Sequence, residues 1–226
     1  SRNLYESRRE FEAFIRSDTA ELVLNSRLKS EVNIDVEFNK LGKYLIDIKY
    51  GTSTKGNQEA KGHKIIGIPN VINEKLTIDK CGFVELDEKE FKSCLLSKGD
   101  ITIVRTNGNP EYTGRSALFN IDEEYVFASY LIKIKVDTSI FNPEFLVRYL
   151  QTNLVRRYFK RNATSTAGNY NINTEVIKNV PAPKISLSEQ DRIVEKLKTI
   201  ESQNETLSQY LSSSKSLQKS LMNQVF

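Results

Sequence analysis

Three polar stretches hold side chains whose types could read the edges of nucleic-acid bases. Arg105, Asn107, Asn109, Tyr112 and Arg115 crowd a loop built around Thr106-Asn107-Gly108-Asn109-Pro110. Asn169, Tyr170 and Asn171 follow Gly168 in a second polar stretch, Asn162 to Asn173. Lys55, Asn57, His63 and Lys64 sit on or just after a third, Gly51-Thr52-Ser53-Thr54-Lys55-Gly56-Asn57. An arginine fork pairs bidentately with guanine and an asparagine amide with adenine, so such loops suit direct readout. Arg156, Arg157, Lys160 and Arg161 cluster just before Asn162, where they could neutralise phosphates. Each feature has a plainer reading as well. Gly-Asn loops are ordinary turns, and basic residues at a helix C-terminus complement its dipole.

Other chemistries find little support. Asn109-Pro110-Glu111-Tyr112 resembles the Asn-Pro-Pro-Tyr motif with which adenine methyltransferases hold a flipped base, but Glu111 replaces the second proline. No glycine-rich loop suited to S-adenosylmethionine precedes it. The single histidine, His63, has no triad motif around it and reads as a surface residue. With Cys81 and Cys94 it gives no zinc spacing, and the two cysteines read as free thiols. The expectation is therefore a binding protein with no catalytic residues, no metal and no cofactor.

Net charge is +4 over 226 residues, but its placement is uneven. Residues 186–226 carry five basic and five acidic side chains, whereas residues 142–185 carry seven basic and two acidic. A local excess of positive charge fits an anionic partner such as DNA, or simply a solvated face. No apolar run approaches the length of a membrane span, and the charged start is unlike a signal peptide, so a cytoplasmic protein is expected. The chain starts at Ser1, which fits a piece of a longer protein as well as an engineered start.

The elements that must present these loops form an α/β (α+β) domain. Residues 4–30 show helical spacing of Phe11, Ile15 and Leu22, and a turn at Asn33-Ile34-Asp35 follows. Short strands are expected at 43–49, 65–68, 83–86, 101–104, 117–119, 125–127 and 130–136. Asn142-Pro143 opens a helix with a stripe of Leu146, Leu150, Leu154 and Tyr158. Val180-Pro181-Ala182-Pro183 is an extended segment leading into the last element.

That element is a long thin helix. Ile193, Leu197, Ile200, Asn204, Leu207, Leu211, Leu221 and Val225 follow an alternating four-three spacing, a coiled-coil seam with polar interruptions. Ser186 and Glu189 form a capping box at its head. A seam so narrow on a rod of about 60 Å needs another helix to cover it. The domain organisation is thus an N-terminal helical segment over 1–33, a globular domain over 34–185 and a pairing helix over 186–226.

The ordered set of motifs resembles the specificity subunit of type I restriction-modification enzymes over about residues 36–226. The set runs from Leu41-Gly42-Lys43-Tyr44 through Lys98-Gly99-Asp100-Ile101, Phe145-Leu146-Val147-Arg148 and Gly168-Asn169-Tyr170 to Val180-Pro181-Ala182-Pro183. Leu187-Ser188-Glu189-Gln190-Asp191-Arg192-Ile193-Val194 at the head of the helix closes it. The resemblance implies a target recognition domain that reads half of a bipartite DNA site. It implies a long helix that pairs as a ruler between half-sites, and docking to modification and restriction subunits. The family's pattern has two recognition domains and this chain has one, so it is either half of a two-domain subunit or a half-subunit that forms a homodimer. The recognition part of a single-chain restriction-methyltransferase, and a coiled-coil protein whose head binds protein, are the competing readings.

Overall fold

A computed structural model describes residues 37–57, 59–72 and 75–225. The helix expected over 4–30 and the turn at Asn33–Asp35 lie outside these residues. The centre is a four-stranded antiparallel sheet of β2 (Leu45–Tyr50), β7 (Ile101–Val104), β9 (Ser116–Leu118) and β11 (Leu131–Val136), in the order β2-β11-β7-β9. Alternation along the strands gives the sheet two buried faces. Ile101, Ile103, Ile132, Ile134 and Val136 point to a helical layer. Val104, Ala117 and Leu131 point to a second cluster.

The helical layer holds α2 (Pro143–Leu150), α3 (Asn153–Asn162), α4 (Thr174–Lys178) and the start of α5 (Leu187–Val225). The stripe Leu146, Leu150, Leu154 and Tyr158 was expected on one helix, but the chain breaks between α2 and α3. Thr152 leaves helical geometry and caps α3 through the Val155 N–H at 3.5 Å. Gln151 turns its amide onto Ser116 Oγ at 2.7 Å. Across the break Leu146, Leu150 and Leu154 stay buried and Tyr158 half-buried.

The second cluster is covered by β3 (His63–Ile66), β6 (Gly82–Val84), β10 (Val126–Phe127) and α1 (Glu88–Cys94). The β3–β10 pair is parallel and the β3–β6 pair antiparallel. His63, expected at the surface, is half-buried and stacks on Phe91 with ring centroids 4.0 Å apart. An antiparallel pair, β4 (Val71–Ile72) and β5 (Lys75–Leu76), lies beside β9. Cys81 and Cys94 are both free thiols.

The expected extended segment at Val180–Pro183 is β14 (Pro181–Pro183), paired antiparallel with β1 (Phe38–Lys40). Prolines at alternate positions lack the donor of a central strand, which suits this two-stranded edge. The pair ties the start of the domain to the chain that enters α5. Ser186 Oγ accepts the Glu189 N–H at 3.3 Å, one half of the expected capping box. The Glu189 carboxylate pairs with Arg192 instead of reaching back.

α5 has 39 residues, so it is about 59 Å long. Its first turns belong to the domain: Gln190 is buried, its side chain accepting the Asn142 N–H at 2.8 Å and donating to Ile140 O at 2.8 Å. Val194 is buried, and Arg148 pairs with Glu201. Beyond Glu201 the described side chains are exposed, Tyr210 by 69%. Among the described residues no helix is long and apolar enough to cross a membrane.

Candidate nucleic-acid interface

One end of the central sheet gathers the residues singled out in two separate loops. β2 ends at Tyr50, β7 ends just before Arg105, β9 begins just after Arg115 and β11 begins just after Tyr130. The antiparallel order makes these four chain positions neighbours at one tip. From Arg105 the chain runs into β8 (Thr106–Asn107). The stretch expected as a polar loop at Asn162–Asn173 is instead a hairpin of β12 (Thr164–Thr166) and β13 (Asn169–Asn171). Ala167 and Gly168 take positive φ values of 48° and 79°, the requirement of a two-residue hairpin turn whose twist matches its strands. Short polar strands carry no apolar alternation, so the period that signals a strand is missing from this sequence.

β13 pairs with β8, with Tyr170 opposite Asn107 and Asn171 opposite Thr106. The Ile172 N–H donates to Arg105 O at 2.8 Å and Thr113 Oγ1 to Tyr170 O at 3.2 Å. The two loops are thereby one surface. Asn107 and Asn109 also build it: Asn107 Oδ1 accepts the Asn109 N–H and Asn109 Oδ1 the Glu111 N–H, both at 2.9 Å. These successive Asx turns keep the 107–111 segment compact.

Two arginines lie over tyrosine rings on this tip. The Arg115 guanidinium is 3.7 Å from the Tyr112 centroid, and that of Arg105 is 4.9 Å from Tyr50. Tyr50, Tyr112 and Tyr130 are exposed by 42%, 40% and 57%. Tyr50 and Tyr130 escape sequence reasoning because each sits at the end of a strand, where an aromatic reads as part of the core. Their exposure at this tip is visible only once the strands are ordered. Such a tip offers flat aromatic faces, guanidinium forks and amides together, the chemistry of base edges and phosphates.

The basic end of α3 divides. Arg157, Lys160 and Arg161 are exposed, but Arg156 is half-buried and donates to the Glu111 carbonyl at 2.5 Å. Burial, and next the charge of Arg115, pull the Arg156 guanidinium below its ordinary value, with Glu111 opposing. Lys160 pairs with the Glu111 carboxylate, and that hydrogen bond holds Glu111 below the usual glutamate range.

The candidate side chains of the third loop make contacts of their own. Asn57 forms a bridge with Phe83 and its side chain closes its own turn on Lys61 O and the Glu59 N–H. Lys64 pairs with Glu123 over the Tyr125 ring. Lys55 is exposed. On α5, Ile193 packs against the domain core, and Leu197 and Ile200 are half-buried. Asn204 is exposed, while the side chains of Leu207, Leu211, Leu221 and Val225 lie outside the described set. Among the described residues no group of three or more His, Cys, Asp or Glu side chains is placed to hold a metal.

Known proteins share this fold. A type I restriction enzyme MjaX specificity subunit, provisionally so named, from Methanocaldococcus jannaschii is 24% identical over 198 residues, covering 87% of this chain and 46% of that protein. Among solved structures, a chain of a type I R-M system superposes with a TM-score of 0.62 at 18% identity, covering 94% of this chain and 52% of that one. The HsdS subunit from Thermoanaerobacter tengcongensis gives 0.57 at 20% identity, covering 92% and 49%. The chain thus spans about half the length of the relatives it matches. The family model of the type I restriction modification DNA specificity domain matches residues 33–213, the domain and about the first two thirds of α5 alike, and the chain belongs to that family.

Proposed function

We propose that this chain is a sequence-specific DNA recognition module without catalysis of its own. Residues 34–185 read one half-site with the sheet tip, and the helix over 186–226 sets its distance from a second recognition domain. The observation that carries the reading is the pairing of Tyr170 with Asn107, which merges two base-reading loops into one polar, aromatic and cationic surface. A rigid sheet presenting such loops limits the entropy lost on binding. The partners of this role are double-stranded DNA and the methyltransferase and restriction subunits of a type I system, in the cytoplasm. The second recognition domain comes from a homodimer partner or from another part of the same subunit. Selection of bound duplexes from a randomised DNA pool tests this. A recurrent half-site, bound with strong salt dependence, is the expected outcome. An unenriched pool would sink it.

A further inference from the structure

α3 makes its hydrogen bonds to the 105–115 segment through Glu111. Lys160 pairs with its carboxylate, Arg156 Nη2 donates to its carbonyl at 2.5 Å, and its N–H donates to Asn109 Oδ1 at 2.9 Å. Carboxylate, carbonyl and amide of one exposed residue are therefore all held. The next residue is Tyr112, on whose ring Arg115 lies at 3.7 Å. Between them Gly114 presses against α3 with φ +82°, and an added Cβ would lie 2.4 Å from Phe159 Cδ2. Only glycine combines that backbone with that approach. Arg156 sits under this turn with Nη1 buried and without a hydrogen-bond partner. Its like charge faces Arg115 and disfavours folding Arg115 inward.

We propose that Glu111 is a positioning residue for base recognition, fixing the Tyr112–Arg115 stack as a preformed reader of one base pair. The inference rests on the DNA-reading role proposed above. A guanidinium already stacked on an aromatic face loses little freedom when it docks. Its fork matches guanine O6 and N7, so the pair read is a G·C. Lys160 and Arg156 then act on sequence preference through Glu111, not as phosphate contacts that bind all DNA alike.

The test is selection from a randomised duplex pool with the full chain, followed by affinity for the selected duplex and its scrambled form at several salt concentrations. Wild type should select a motif containing at least one strict G·C pair. Glu111→Gln and Arg115→Lys should relax the same pair, lowering the preference for the selected duplex about tenfold, the scale of one bidentate contact. The salt slope with Glu111→Gln should not fall. The charge swap Glu111→Lys with Lys160→Glu should restore the strict pair, because it rebuilds the grip with the signs reversed. Melting temperature, followed in parallel, separates loss of fold from loss of preference. An unchanged motif in Glu111→Gln would overturn the inference, as would relaxation at a different pair from Arg115→Lys. A swap that stays relaxed, with a salt slope smaller by about one, would assign Lys160 to a phosphate instead. No motif with wild type would overturn the DNA-reading role itself, whereas a wild-type motif indifferent to Glu111 overturns only the positioning.

Discussion

Tyr170 and Asn107 face each other across the β13–β8 pair, and their backbones join two segments far apart in sequence. Because the hairpin supports the 105–115 loop from one side, its residues and the loop's should act on the same property. Tyr170→Ala or Asn169→Ala is expected to cost on the order of 1–3 kcal/mol on the selected duplex and much less on scrambled DNA. Competition binding on both duplexes measures the difference. Equal losses on the two, with normal melting, would deny the hairpin a role in specificity.

The exposed cations of α3 divide the work differently. Arg157 in mid-helix and Arg161 in the last turn are exposed, whereas Arg156 and Lys160 hold Glu111. Neutralising Arg157 and Arg161 to Gln should weaken binding to all duplexes about equally. The slope of log affinity against log salt should shrink by roughly one for each phosphate no longer neutralised. A slope that does not move would leave these side chains to the helix surface alone.

The fold holds a buried cation on the far face of the same sheet. Lys133 is 7% exposed, its ammonium 3.4 Å from Asp100 Oδ2, 3.7 Å from Asp47 and 3.1 Å from Leu95 O. Cross-strand register places Lys133 and Thr102 side by side, so Asp100 at the strand's entrance reaches the same face. Lys133→Met leaves the Asp100 carboxylate buried without its cation and should cost about 3–5 kcal/mol. Lys133→Met with Asp100→Asn should recover much of that in chemical denaturation. Additive losses from the two changes would show that the pair is not coupled.

The join between α5 and the domain should respond to acid. The Arg148 hydrogen bond holds the Glu201 carboxyl below the ordinary value of 4.5. A lowered folded value means that the pair's contribution is fully present above the unfolded value. It is lost as pH falls from about 4.5 through the lower folded value. Amide exchange over residues 195–205 should therefore quicken below that pH in wild type. Glu201→Gln should exchange quickly at neutral pH and change less with acid. Identical pH profiles for the two proteins would remove Glu201 from the join.

Much of the framework was legible because strong local signals marked it. Ile101–Val104 and the strand ending at Val136 carry continuous or alternating apolar residues, and Asn142-Pro143 caps and opens α2 as its types require. The break at Gln151–Thr152 was hidden because the apolar stripe runs through it; the contact of Gln151 with Ser116 comes from tertiary packing. The tip was half legible. Its Arg, Asn and Tyr residues were found by type, but their union depends on β8 and β13, strands too short and polar to leave a period. Lys55, Asn57 and Lys64 share the composition of the tip, but Asn57 is held by Phe83 and Lys64 by Glu123. Composition finds candidate side chains, and strand order shows which of them lie together.

The outer half of α5 makes the last prediction. Ile193 is packed on its own domain, whereas Asn204 and Tyr210 stand exposed beyond Glu201. Over residues 202–225 about 36 Å of helix runs past Glu201 with its described side chains exposed, whereas helices in proteins draw most of their stability from packing one face on a partner. The seam continues through Leu207, Leu211, Leu221 and Val225 in sequence, so the partner is expected to be another helix, from a second copy or from residues 4–30. An asparagine at an a position favours one register at a cost in stability. Asn204→Ile should therefore tighten pairing while loosening its register. If the partner is a second copy, analytical ultracentrifugation at tens of micromolar should show dimers for wild type, tighter for Asn204→Ile; if it is residues 4–30, both sediment as monomers with a formed helix. Cysteine crosslinking along the helix should give one pattern in wild type and several in the variant. Deleting residues 4–30 distinguishes the two partners: pairing that survives is between copies, and pairing that vanishes with the helix signal is internal. Dispersed monomers with a fully formed helix, with and without that segment, would refute the pairing altogether.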